Sequence, residues 1–480
     1  MKQTLTQFLL NHKERHPVSF HMPGHKGSRI YREHGYGAFL DSIMDCDITE
    51  IPGADNLFQT EGVLKETMDR YKAMYGTKES YLLVNGSSGG LIASILASVP
   101  KGGKLVMARN CHKSIFNALS LGDITPVYAY PETVQEYGIL GSVSPEEVAR
   151  CLDENPDAAA VILPSPNYYG ICSDVAAIAE VVHARGKILI IDQAHGAHLN
   201  FFLPLRAQAK YTLPGFPAAA ESCGADVVIN SIHKTLASFT QTALLNLCSD
   251  RVDKYDLEDR LQASESTSPS YPLMATLDLN AELMEHHGEV LIKDWAESLR
   301  WFYETAEKEV PGLRIMRHPM LDATKINLDM SAYGLNGNQL EELLMEKDIF
   351  IELVTGNILM CMTGIGNKRC DFKKLLEALK EIAADRQMLD VKPEQPEAVT
   401  KALKLTKVPV RKERILLGDA AGRVCASSVI PYPPGIPIVC PGEIFDEEVI
   451  AYIKERRAAE EKVIGVDELG RVVVGREDEV

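Results

Sequence analysis

Lys234 follows an apolar run, Val227-Val228-Ile229, and stands beside Ser231 and His233 in the stretch SIHKT. A run of that kind predicts a buried strand, and burial at its end disfavours the ammonium form of a lysine. Such an amine is free to attack a carbonyl carbon. Asp192 closes a second apolar run, ILIID, where a carboxylate needs a dedicated partner. A helix N-cap is the bland alternative for it. Two more stretches close predicted strands, VNGSSGG at 84–90 and RNCHKS at 109–114. Small residues opening a helix offer backbone N–H groups and hydroxyls to an anion, most often a phosphate. A serine-capped flexible turn has the same composition, and no Gly-Lys-Ser/Thr follows that would make it a Walker loop. His112, read from its neighbours alone, is a surface loop histidine.

One chemistry uses all four pieces, a pyridoxal phosphate site. Lys234 would form a Schiff base with the cofactor aldehyde, and Asp192 would pair with the protonated pyridine nitrogen, making the ring an electron sink. The Gly-Ser turn and Ser231 would hold the phosphate, and His112 would lie against the ring face. A metal site on His195, His198 and His233 is a poorer reading, because no carboxylate or histidine partners recur at ligand spacing.

These side chains need a scaffold that brings strand ends together. Between about residues 80 and 250, short apolar runs (SYLLV, KLVMA, PVYAY, AAVIL, KILIID, ADVVIN, TALLNLC) alternate with helix-like stretches. Runs apolar throughout predict strands covered on both faces, hence an α/β domain with a mostly parallel sheet; TALLNLC could equally be antiparallel. Open sheets of this class bind ligands at the carboxyl ends of their strands. SDVAAIAEVVHARG predicts a helix with Ser173 as N-cap and Gly186 as its stop. A long helical pattern, about 281–309, leads to a smaller α+β domain built from KINLDM, NQLEELLMEKD, IFIELV, NILMCMTGI and a helix near 371–388. The polar stretch DVKPEQPEAV predicts a linker, and the five prolines of residues 430–443 exclude a regular element there. The expected division is 1–300, an N-terminal arm and cofactor-binding major domain; 301–395, the small domain; and 396–480, a C-terminal domain.

FHMPGHKG at 20–27, IDQAHG, SIHKT and PYPPGIPIVCPGE at 431–443 occur in an order that resembles the ornithine/lysine/arginine decarboxylase family of fold-type-I pyridoxal phosphate enzymes. The likeness runs over about residues 4–470. It implies that Asp192, with Ala194 and His195 of the D-x-A-H-G motif, binds the cofactor, that Lys234 carries it, and that His112 stacks on its ring. Ser87, Ser88 and Gly89, helped by Ser231 and His233, are then the phosphate residues. The family's sites lie at a dimer interface, so a homodimer or pair of dimers with shared active sites is expected. SESTSPSY, 264–271, is the Ser/Thr-rich segment that would approach the partner's phosphate. The implied reaction is α-decarboxylation of a basic amino acid, arginine favoured and lysine or ornithine also allowed. Lys234 and His233 are both candidates to protonate Cα. Glu443, at the end of the proline-stiffened strap, is the candidate for the substrate's distal cation, with Asp55 of PGADNLF second and His25 of MPGHKG at the entrance.

Two departures from the family stand out. Gln193 replaces the usual glutamate after the aspartate, but the next side chain in a strand points to the opposite face. The chain also enters FHMPGHKG by residue 20, so the receiver-like domain of the large inducible members is expected to be missing. The competing readings are other fold-type-I enzymes, an aminotransferase or an aldolase/β-eliminating lyase. An aminotransferase needs a small-domain arginine for the substrate carboxylate, for which Arg314 and Arg317 are poor candidates.

A formal net charge of -17 argues against nucleic acid or an anionic membrane as partner. No apolar segment approaches the roughly 20 residues needed to cross a bilayer, and the N-terminus has no secretion signal, so a cytoplasmic protein is expected. The ten cysteines include no C-x-x-C pair, which argues against zinc and against a disulfide framework.

Overall fold

The computed structural model describes residues 3–206, 216–389, 403–406, 408–432, 437–458 and 462–476. Helix α1 (Leu5–Glu14) and strand β1 (Val18–Phe20) form an N-terminal arm, and α2 (Val63–Tyr75) leads into the main sheet. That sheet holds β2 (Glu79–Leu83), β3 (Lys104–Ala108), β4 (Thr125–Ala129), β5 (Ala158–Pro164), β6 (Ile188–Asp192), β7 (Val227–Asn230) and β8 (Ala243–Leu247). Their order is β2-β8-β7-β6-β5-β3-β4. The contacts among β4, β3, β5, β6 and β7 are parallel, whereas β8 runs antiparallel to both β2 and β7. Ile190, Ile191, Val227, Val228 and Ile229 have no exposed surface, which is why these strands lack a polar alternation.

Helices pack on the sheet: α3 (Gly86–Ser98) after β2, α4 (Lys113–Gly122) after β3, and α5 (Val175–Ala184) between β5 and β6. The N-cap of α5 is Asp174, whose carboxylate accepts from the Ala177 N–H. Ser173 was the expected cap, but its hydroxyl instead accepts from the Val143 N–H. A single turn of helix, α6 (Ile232–Thr235), follows β7 and carries Lys234. Helix α7 (Lys254–Ser264) is followed by α8 (Tyr271–Glu309), which starts ten residues before the expected 281 and runs through the expected domain boundary at 300. Its first turn holds Pro272, which a helix accepts where an N–H has no partner in any case.

The small domain is an antiparallel sheet of β9 (Arg314–Ile315), β10 (Lys325–Asp329), β12 (Leu353–Thr355) and β13 (Ile358–Met362), ordered β9-β10-β13-β12. Between these strands lie α9 (Gly337–Met345) and β11 (Ile349–Ile351), and α10 (Arg369–Ala384) closes the domain. β11 pairs in parallel with β1, so the N-terminal arm is stitched to the small domain. The DVKPEQPEAV linker lies outside the described residues.

Beyond it, β14 (Lys412–Leu416), β15 (Ile430–Tyr432), α11 (Glu447–Ala458), β16 (Lys462–Ile464) and β17 (Arg471–Gly475) form two strand pairs around one helix. The strap was expected to hold no regular element, yet Ile430–Tyr432 pairs with Lys462–Ile464. A short strand on the edge tolerates its Pro431. Among the described residues no helix is long and apolar enough to cross a membrane.

Candidate active site

A cavity of about 230 Å³ opens at the carboxyl ends of β5, β6 and β7. Gly86, Ser87, Ser88, His112, Asp192, Ala194, His195, Ser231, His233 and Lys234 all line it. Residues from the turn after β2, the start of α4, the end of β6 and the turn after β7 therefore share one wall, as strand-end placement requires.

Two groups at the centre of the cavity set its chemistry. Burial lowers the pKa of Lys234 from that of an ordinary lysine, although the charge of Asp192 pulls it back up. Burial likewise raises the pKa of Asp192 against the pull of Lys234. Among the described residues the two form no ion pair, and the Asp192 carboxylate accepts from the Ala194 N–H at 3.1 Å. The Lys234 amine lies 2.9 Å from His195 Nε2. His195 Nδ1 is buried, with no hydrogen-bond partner among the described residues.

The histidines are neutral by construction. Burial and the nearby Lys234 lower His112 to about 3. Its Nδ1 accepts from the Ser114 N–H and so caps α4, which pins the ring in the cavity wall. Burial lowers His233 to about 4, and its Nδ1 donates to the Thr242 carbonyl at 2.8 Å. Only its Nε2 is then left for the cavity, without a proton.

The residues expected at the phosphate divide into two groups. Gly86, with φ +73, turns the chain into α3, and Ser231 donates to the Ser87 hydroxyl at 2.9 Å. These hydroxyls and the first free N–H groups of α3 form an anion cradle. Gly89 does not line the cavity. It backs onto Glu265, where a Cβ would come within 3.1 Å of Oε1. Glu265 accepts from the Val84 and Asn85 N–H groups and so braces the turn from behind. Its neighbours in SESTSPSY, Ser266, Thr267 and Ser268, are exposed.

A buried carboxylate and a buried amine of lowered pKa, with an anion cradle, on one cavity fit pyridoxal phosphate. Asp192 would meet the ring nitrogen, Lys234 the aldehyde carbon and Ser87, Ser88 and Ser231 the phosphate.

The three expected substrate residues lie elsewhere in this chain. Glu443 has no exposed surface and pairs with Arg109 at 2.8 Å, while also accepting from the Cys440 N–H. Glu443 was expected to meet the substrate's distal cation, but the strap folds inward and spends it on a buried guanidinium. Asp55 accepts from the N–H groups of Glu61, Gly62, Leu64 and Lys65, which satisfies the open end of α2. His25 packs 5.8 Å from the Tyr31 ring and 6.0 Å from Phe239, and takes the Gly27 N–H on Nδ1. The motif around it has another use: the Gly24 N–H donates to the His233 carbonyl, and a Cβ on Gly24 would lie 2.4 Å from the Thr235 backbone. MPGHKG is a strap under the Lys234 turn.

Sequence reasoning missed Met22, Pro164, Pro166, Asn167 and Tyr168, all in the cavity wall. The signal was present, since PSPNYY follows the apolar run of β5. It also missed Glu352. This half-buried carboxylate takes the Met22 N–H at 2.8 Å, sits between β11 and β12, and is close enough to raise the pKa of Lys234. Among the described residues it forms no ion pair. Periodicity could not find it, because IFIELV reads as one strand, whereas the structure interrupts it at Glu352 between β11 and β12. Gln193 lies off the cavity, bonded to Glu221, Asn230 and the Ala220 N–H, as its opposite facing requires.

Among curated proteins the chain is similar to arginine decarboxylase of Bacillus subtilis (strain 168), 32% identical over 464 residues, covering 93% of this chain and 91% of that protein. It is 28% identical to arginine decarboxylase of Bacillus anthracis, over 96% and 94% of the two chains. The fold matches the solved structure of the E. coli constitutive lysine decarboxylase with a TM-score of 0.74 at 19% identity, over 99% of this chain and 82% of that one. The family model for the Orn/Lys/Arg decarboxylase major domain matches residues 3–328, and the one for the C-terminal domain matches 383–469. With the fold-type-I sheet and the lysine–aspartate cavity in place, the chain belongs to the Orn/Lys/Arg decarboxylases, pyridoxal phosphate-dependent enzymes acting on basic amino acids.

Proposed function

We propose that the protein decarboxylates L-arginine to agmatine, using Lys234 as the cofactor-bearing amine and Glu352 as the anchor for the guanidinium. The observation that carries this reading is the meeting of Lys234 and Asp192 on one cavity, with Glu352 bonded to the wall residue Met22 and its charge acting on Lys234. The names of the Bacillus relatives favour arginine over lysine.

Bound pyridoxal phosphate supplies an aldehyde and an electron-accepting ring. The protein does the rest. Asp192 holds a positive charge at the ring nitrogen, because a buried carboxylate with one backbone donor gains most from a cationic partner. Ser87, Ser88 and Ser231 bind the phosphate and fix the cofactor's register. His112, held by its cap on α4, would lie against the ring. Burial lowers the pKa of Lys234, so its amine would take part in the exchange with substrate, take up the proton that the substrate ammonium loses there and deliver it to Cα. His233 is excluded from that step, since its bonded proton sits on Nδ1 and points at Thr242. Pro164, Pro166 and Tyr168 wall the cavity and keep water from the reacting carbon. The protein works as a homodimer or a pair of dimers. Support comes from Leu5, Phe8, Leu9 and Leu10 of α1, each more than half exposed, and from the exposed hydroxyls of 266–268 beside the anion cradle.

An aminotransferase reading gains nothing, as Arg314 is paired with Glu136 and Asp329, and Arg317 with Glu307. The test is a substrate panel on the purified holoenzyme, scoring CO2 against keto-acid release from arginine, lysine and ornithine. Arginine should give CO2 and the highest kcat/KM; keto-acid release would overturn the reading. Glu352→Gln should lose roughly 30- to 1000-fold in kcat/KM for arginine, the cost of removing one partner of a desolvated charge pair. An unchanged value in that variant would remove Glu352 from the substrate site.

A further inference from the structure

Lys325, Asp322 and His198 have no exposed surface, lie outside the cavity wall, and take no part in the chemistry described above. Lys325 opens β10 in the small domain, and Asp322 precedes it. His198 belongs to the major domain, three residues beyond His195. The Lys325 ammonium donates to Asp322 Oδ2 at 2.7 Å, to Thr324 Oγ1 at 3.1 Å and to the main-chain carbonyl of His195. His198 Nε2 lies 3.1 Å from Asp322 Oδ2. Burial works against the charge of Asp322, but His198 and Lys325 outweigh it and hold its carboxyl below the usual range.

A buried ion pair is a costly way to fill space, and apolar side chains of similar volume often do as well or better. What an apolar side chain cannot do is grip a carbonyl. The carbonyl in question is that of His195, whose ring meets the Lys234 amine at 2.9 Å. A continuous path therefore runs from the small domain through Lys325 to His195 and on to Lys234. Gly170 makes room for it: a Cβ there would stand 2.9 Å from that of Lys325.

We propose that Lys325, anchored by Asp322 and His198, is a positioning residue that sets His195 so that its Nε2 accepts from the Lys234 amine, tying the reactivity of Lys234 to the seating of the small domain. With Nε2 accepting, the lone pair of the amine stays free for attack, and the ring proton resides on Nδ1. The groups facing Lys234 are Asp192 at the end of β6, His195 on the following loop, His112 at the start of α4, His233 on its own turn, Glu352 from the small domain, and Lys325. Lys325 faces Asp322, His198, His195 and Lys26. The inference rests on reading Lys234 as the cofactor-bearing amine and is independent of which basic amino acid is the substrate.

The test measures Lys234 directly in the apoprotein. Fluorodinitrobenzene labels unprotonated amines, and peptide mapping locates the label, so the labelling rate at Lys234 can be followed from pH 6 to 9. The double variant Asp322→Asn with Lys325→Met removes the buried pair without stranding one charge. It should label Lys234 roughly three- to tenfold more slowly at neutral pH, the scale on which residues outside a site modulate it. Lys325→Arg, which keeps a donor for the His195 carbonyl, should restore most of the rate, and His195→Gln should reproduce the loss. In the holoenzyme the double variant should lower kcat with KM little changed. A double variant that melts with the wild type and labels at its rate across the pH range would overturn the proposal. So would a loss in His195→Gln that neither Lys325 variant shares. If wild-type Lys234 proves no more reactive than surface lysines, the assignment of the cofactor-bearing amine fails instead.

Discussion

His233 and Lys234 are adjacent, yet their hydrogen bonds give them opposite duties. The Nδ1 proton of His233 is committed to the Thr242 carbonyl, and burial lowers its pKa from 6.5 to about 4. Between those values the unfolded chain binds the proton that the folded one refuses. Stability therefore rises with pH through that window and levels off above about 6.5. The apoprotein's Tm should fall as pH drops from 6.5 toward 4, and His233→Gln should flatten that slope; an unchanged slope would place the burden on other groups. Asp192 makes a second prediction at this scale. Asp192→Asn should retain the cofactor through the anion cradle but lose roughly 10²- to 10³-fold in kcat, the usual effect of deleting a preorganised charge. A kcat within tenfold of wild type would mean that the ring nitrogen is held otherwise. Lys234, Asp192 and Ser231 were legible in the sequence because a charged or hydroxyl group ending an apolar run is conspicuous. Glu352 was not, since it sits inside an apolar run that the structure interrupts at this residue.

Among the elements, α2 shows how a candidate ligand becomes a structural group. Asp55, with φ +70, folds back so that its carboxylate meets four N–H groups around the start of the helix. Asp55→Ala should cost about 1–2 kcal/mol in urea unfolding, as for other lost caps, with kcat/KM unchanged. A selective loss of kcat/KM would return Asp55 to the substrate site. The sheet strands were read from sequence because burial on both faces leaves them apolar throughout. The start of α8 was misplaced because Tyr271-Pro272 reads as a break, whereas a first turn accommodates proline.

On the scale of the whole molecule, the C-terminal domain is bolted to the major domain through Arg109. Its guanidinium holds Glu443 in two hydrogen bonds and also donates to the carbonyls of Pro437 and Ile438. Glu443→Gln breaks a buried pair, and the expected cost is about 3–5 kcal/mol. Limited proteolysis should then release the C-terminal segment sooner than in wild type; equal rates would show that apolar packing alone docks it. These partners are 334 positions apart, and no local pattern links them.

By itself the sequence determined the fold class, the order of the chemical motifs and the lysine and aspartate that the fold brings to one cavity. Each is written in short stretches whose periodicity and composition answer to local burial. Tertiary structure alone decided how each candidate carboxylate is spent. Glu443 is consumed by an arginine from distant sequence and Asp55 by a helix end, while Glu352 is bonded to Met22 of the N-terminal arm. Whether a charge is available depends on what surrounds it in space, which spacing along a chain does not record.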